Sequence, residues 1–156
     1  MDRMIRCITS DGSLMAAAVD TSEIVAIAQQ LHHTSAVATA ALGRLLSGAS
    51  LMGAMLKKEN ASVTLKINGG GPLGSVVAIG DSRGNVRGYV ESPETELPLK
   101  SNGKLDVGAG VGRDGLLMVM RDFGEGEPYV GQVRIATGEI AEDITAYYAI
   151  SEQIPT

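Results

Sequence analysis

Tryptophan is absent from this chain, phenylalanine occurs once, and aromatic residues make up only 3% of it. A core made without large rings has to come from small and medium aliphatic side chains. The same scarcity removes the aromatic platforms on which single-stranded nucleic acid stacks. Cysteine occurs once, at Cys7, so these residues can form neither an internal disulfide nor a thiolate zinc cluster. Cys7 lies in the strand-like run MIRCIT, which predicts a buried small hydrophobe. Positive charge is scarce and scattered: 13 Lys and Arg stand against 18 Asp and Glu, for a net charge of −5. No basic stripe exists to follow a nucleic-acid backbone. The opening MDRMIRC has charges where a secretory leader needs an apolar run, which points to a cytoplasmic protein. No charge-free apolar run is long enough to suggest a membrane span. The longest, ATAALGRLLSGASLMGAMLK, carries Arg44 near its middle, where a charge costs at least about 2.5 kcal/mol in a bilayer.

What the chain does have is glycine, 20 in 156 residues, and clean changes of period. Met4 to Ile8 and Leu14 to Val19 are short apolar runs around Asp11-Gly12, a hairpin signal. Asp20 to Ser22 then offer an N-cap, and Ile24, Ile27, Ala28 and Leu31 mark one helical face. His32 and His33 close that helix. Adjacent residues diverge by about 100° on a helix, so they form no metal pair. From about Ser35 to Lys57 the spacing of Leu42, Leu45, Leu46, Ala49, Met52, Gly53 and Leu56 predicts one long helix, buried by its small residues. Leu45 and Met52 belong to its core face, with Lys57 and Lys58 exposed. After Lys58 the period becomes two. SVTLKI, GSVVAIGD, NVRGYVES, GLLMVMRD and PYVGQVRIAT are strands, separated by turns, a proline-rich loop at Pro93 to Pro98 and a glycine-rich stretch from Gly103 to Gly115. GEIAEDITAYYAISEQIPT returns to a helix ending at Pro155. The expected fold is α+β: mostly antiparallel sheets packed around a long central helix, with a shorter helix before it and a C-terminal helix.

Gly69, Gly71 and Gly74 match the dinucleotide pattern G-x-G-x-x-G. That pattern holds a pyrophosphate only when a helix follows the loop. Here GSVVAI follows, which is a strand, and Pro72 removes an amide donor. The loop is therefore expected to be a hairpin, and Gly108 to Gly112 also precede a strand. Asp81, Glu91, Asp106, Asp114 and Asp122 fall at strand ends and turns. Glu139, Glu142 and Asp143 suit the first turns of the last helix. No spacing pairs carboxylates for acid–base work. The expectation is no catalytic, cofactor-binding or metal residue, with nucleotide binding at Gly69 to Gly74 as the enzymatic alternative.

Four segments in order, ATAALGRLLSGASLMGAMLK, VTLKINGGGPLGSVVAIGDSRGNVRGYVESP, GKLDVGAGVGRDGLLMVMRDFGEGEPYVGQV and GEIAEDITAYYAISEQIPT, resemble the N-terminal domain of the heat shock protein 33 family from about Arg3 to Thr156. The resemblance implies a redox-regulated holdase chaperone, not an enzyme. Such proteins bind unfolding clients and prevent their aggregation under oxidative and heat stress. It further implies a linker and a C-terminal domain whose C-x-C and C-x-x-C cysteines bind zinc when reduced and form two disulfides when oxidised, exposing client-binding surface and favouring dimers. None of those cysteines is present, so residues 1–156 are expected to be the chaperone core domain, truncated before its switch. Zinc is expected only in a full-length protein. The implied partners are unfolded clients and a second copy; the client-binding residues are left open. The alternative is a structural or dimerisation domain without client binding of its own.

Overall fold

The structure, a computed structural model, describes every residue from Met1 to Thr156. The chain opens with an antiparallel hairpin, β1 (Arg3–Ile8) and β2 (Met15–Asp20), in register from Arg3 opposite Asp20 to Ile8 opposite Met15. Its turn is held by Asp11, whose carboxylate accepts from the Thr9 and Ser13 hydroxyls and the Ser13 amide. Helices α1 (Ser22–His32) and α2 (Ala36–Ala54) follow. Thr21, at the N-cap of α1, makes no side-chain cap bond. The cap comes from the tertiary fold: the Asp2 carboxylate accepts from the amides of Glu23 and Ile24 at 2.9 and 2.8 Å. His33 ends α1 in the left-handed region, and Ser35 caps α2 by accepting from the Ala38 amide.

Strands β3 (Ser62–Gly70), β4 (Val76–Asp81), β5 (Val86–Val90), β6 (Gly112–Asp122) and β7 (Tyr129–Arg134) form one antiparallel sheet in the order β5-β4-β3-β6-β7. The glycine-rich stretch differs from the expected plain loop. It contains a one-turn helix, α3 (Val107–Val111), because Asp106 accepts from the Ala109 amide and caps it. Helix α4 (Ala141–Ile150) ends before Pro155. Gln153 takes a left-handed φ of 55°, and the Tyr147 carbonyl accepts from both Ser151 and Glu152. The tail thus folds back on the helix end.

Helix α2 lies across the inner face of the sheet. Leu42, Leu45, Leu46, Ala49 and Met52 meet Val63, Leu65, Ile67, Val76, Ala78, Leu117 and Val119 in one core. The approach is backbone to backbone at Gly80, where a Cβ would strike the Ala49 carbonyl. This explains the small-residue composition: rings would hold the layers apart. Helix α2 is long and apolar enough to cross a membrane by length and composition. Here it forms the centre of a folded domain, with Arg44 at the surface reaching Glu139.

Candidate functional site

The segment between β3 and β4 is a hairpin connection, as the strand-like sequence after it implies. Its amides are already committed within the protein. Gly70 donates to the Asn68 side chain, Gly71 to Val111, Leu73 to Gly110 and Gly74 to Gly71. Ser75 donates to the Glu91 carboxylate at 2.7 Å. That amide, followed by the Ser75 hydroxyl, holds Glu91 below the usual carboxylate range. An anionic carboxylate therefore stands beside the loop, and no helix dipole faces it. Gly70 has φ 75°, a conformation that side chains with a Cβ resist. The glycines serve the turn and the close approach to β6.

The other polar candidates are dispersed among structural tasks. Asp81 accepts from the amides of Arg83 and Asn85, Asp106 caps α3, and Asp122 accepts from Gly124. Asp114 is exposed on β6 and Glu142 on the first turn of α4. His32 and His33 end α1 without an ion-pair partner. Two expectations for the last helix are corrected. Glu139 precedes α4 and bridges layers: it pairs with Arg44 of α2 and with Lys100, and accepts from the Gly108 amide. Asp143 is in the first turn but fully buried, because its carboxylate accepts from three backbone amides, those of Ala136, Thr137 and Ile140. A third correction concerns Cys7, which is exposed on the outer side of β1. The hairpin there has no layer over it. No cluster of three or more His, Cys, Asp or Glu side chains converges in this chain, so its residues do not fit the zinc centre of the family.

The surface that stands out is the outer face of the five-stranded sheet. Period two sends Val63, Leu65 and Ile67 inward and Thr64, Lys66 and Asn68 outward. Register carries that choice to the neighbours. Thr64 lies opposite Ile79 on β4 and Met120 on β6, and Lys66 lies opposite Val77 and Met118. Continuing to the edges, Ile79 faces Arg87, Val77 faces Tyr89, and Met120 faces Val130. One row therefore reads Arg87–Ile79–Thr64–Met120–Val130, the next Tyr89–Val77–Lys66–Met118–Gln132. Leu116 adds a third apolar position and is 41% exposed. The face is a broad platform, about 20 Å across at 4.8 Å per strand spacing, apolar at its centre with cations at its margins.

Period-two reading of the sequence did not single out this face, although a signal was present. LLMVM in β6 is apolar at every position, so both faces of that strand are apolar. With only one layer of helices available, one of those faces has to meet solvent or a partner. The fold and this face define an α+β domain built to present a sheet platform, with its polar groups tied internally.

The family model described as "Hsp33 protein" matches residues 2–156, and the chain belongs to the Hsp33 family. It is 50% identical over 155 residues to a 33 kDa chaperonin of Acetivibrio thermocellus, covering 99% of this chain and 52% of that protein. A 33 kDa chaperonin of Alkaliphilus metalliredigens is 49% identical over 154 residues, covering 99% of this chain and 53% of that protein. The crystal structure of the 33 kDa chaperonin (heat shock protein 33 homolog) of Thermotoga maritima superposes with a TM-score of 0.93 at 43% identity, covering 97% of this chain and 52% of that one. The chain spans about half the length of the curated relatives it matches.

Proposed function

We propose that this domain is the client-holding core of a redox-regulated cytoplasmic chaperone, and that unfolding proteins bind the outer face of its sheet. The observation that carries the reading is the row of Ile79, Val77, Leu116, Met118 and Met120 left open on a rigid sheet. Apolar patches of this kind mark interaction sites on folded domains. The unbranched thioethers of Met118 and Met120 adapt to varied apolar shapes, which suits partners without a common sequence. Lys66, Arg87 and Arg134 at the same face favour clients with acidic segments. The relatives named 33 kDa chaperonin support the chaperone reading, and the acidic net charge favours protein over nucleic-acid partners. Zinc and the redox switch belong to the part of the family's architecture outside these residues. The enzymatic alternative at Gly69 to Gly74 loses its support, since the amides a phosphate would need are already bonded.

The test is suppression of aggregation. A chemically unfolded client is diluted into buffer and its turbidity followed with the domain in excess. Suppression is expected, and the double variant Met118→Lys, Met120→Lys should lose most of it while keeping its circular dichroism spectrum. Undiminished suppression by a folded double variant would move the client surface elsewhere. The second reading, a dimerisation domain without client binding, is favoured by the exposed apolar hairpin β1–β2 and predicts no suppression in either protein.

A further inference from the structure

The hairpin and the helix next to it are each left without a covering layer. β1 and β2 pair only with each other, and an isolated two-stranded hairpin is marginal in water. Its base is anchored, by Arg6 donating to the Ala54 carbonyl at 2.8 Å. Its far end carries Ile8, Leu14 and Met15, exposed at 66%, 65% and 56%. Between Cys7 and Val19 the one charged residue is Asp11. Helix α1 shows the matching defect. Ile24, Ile27, Ala28 and Leu31 form a regular apolar stripe, yet α1 contributes no fully buried residue. Ile27 and Leu31 are 55% and 71% exposed and line a groove of about 250 Å³ with Leu46 and Val86. The charged or titratable groups on that groove are Arg87 and His32, and Arg87 has no ion-pair partner within the chain.

We infer that the β1–β2 hairpin is an exchange arm whose tip docks in the α1–β5 groove of a second copy of this chain. This rests on the homodimer expected for the family and not on client binding. Three observations select a second copy as the occupant. The tip is apolar with one anion, and the groove is apolar with a cation at its rim, so Asp11 meets Arg87 across the contact. Both surfaces lie on every copy, so a two-fold axis satisfies both at once and closes the assembly. The dimensions also agree. Six residue pairs make an arm about 20 Å long and about 10 Å wide. Covering both its faces and the matching groove, twice over, buries about 1,600 Å², the usual size of a stable interface. The outer row Ile5, Cys7, Ala16 and Ala18 is small enough to let partner backbone approach. The arm thus places self-association at the N-terminal hairpin, whereas the chain's tail is folded against α4.

Sedimentation equilibrium on the intact chain tests this. The wild type should be a dimer. A tip variant (Ile8→Ser, Met15→Ser) and a groove variant (Leu31→Ser) should each weaken dimerisation at least tenfold, and all three positions are exposed, so folding is checked by an unchanged melting curve. Mixing the two variants should restore a heterodimer, because one intact tip then meets one intact groove. Arg87→Glu should weaken the dimer, and adding Asp11→Asn, which keeps the acceptor of the turn, should recover part of the loss. A wild type that stays monomeric, or folded variants that keep the wild-type dimer constant, would overturn the arm. Loss of client suppression by the tip variant with no change in mass would overturn it too, by assigning the tip to clients. Failure of the chaperone reading alone appears in turbidity and leaves these masses unchanged.

Discussion

Asp143 joins the start of α4 to the end of β7. Its Oδ1 accepts from Ala136 and Thr137 at 2.7 and 3.0 Å, and its Oδ2 from Ile140 at 2.9 Å. Ile140 is fully buried at a positive φ of 78°, a strained conformation for a β-branched residue that persists because its surroundings hold it. Replacing Asp143 with Ala leaves three amides without their acceptor. A loss of about 2–4 kcal/mol is expected from urea unfolding, and a change below about 1 kcal/mol would mean that water replaces the carboxylate. Glu139 gives a pH signature. Burial opposes its charged form, but the hydrogen bonds from Lys100 and then Arg44 outweigh that and hold its carboxyl below the ordinary glutamate value. A lowered folded-state value means stability that is present above the unfolded value, about 4.3, and is lost as pH falls through the folded one. Glu139→Gln should therefore be less stable at pH 7 and show a shallower loss of stability below about pH 4.3. Parallel curves for the two proteins would place this acid sensitivity at other groups.

At the scale of elements, α2 bears on everything else. It touches the sheet, both neighbouring helices and the hairpin, and its side of the core is made of Ala, Leu and Gly. Leu45 is 0% exposed at the centre of that contact. Leu45→Ala should cost about 2–5 kcal/mol, the spread reflecting how far the site collapses. Gly80→Ala should cost stability by the opposite route, since its Cβ meets the Ala49 carbonyl and the helix has to move off β4. Chemical denaturation separates the two. The first leaves a cavity that Leu45→Met largely refills; no larger side chain at position 80 rescues the second.

For the whole molecule, regulation is the property at stake. Cys7 is alone and exposed, and these residues assemble no zinc–thiolate centre. Oxidant therefore finds none of the family's switch within residues 1–156. With the proposed platform uncovered, holding of clients should be constitutive. The reduced and the peroxide-treated domain are expected to suppress client turbidity equally. Strong activation by peroxide that disappears in Cys7→Ser would instead make Cys7 a sensor through intermolecular disulfide formation.

Much of this architecture was legible in the order of residues. Hydrophobic period is a local property, so the hairpin around Asp11-Gly12, the long α2, the five strands and the turn at Gly69 to Gly74 could be placed from spacing and turn chemistry. The absence of rings likewise required the close packing seen at Gly80. Other features depended on partners distant in the chain. Asp2 caps α1 from 21 residues away, Arg44 meets Glu139 across 95, and Asp143 is buried only because β7 delivers two amides to it. Cys7 has the neighbours of a core residue but lies on a hairpin that nothing covers. The platform is the clearest case. Alternation shows that a strand has two faces, and the run at Leu116 to Met120 shows that both are apolar. Which face α2 occupies, and which stays open, is decided by register and layering among segments that meet only in the folded chain.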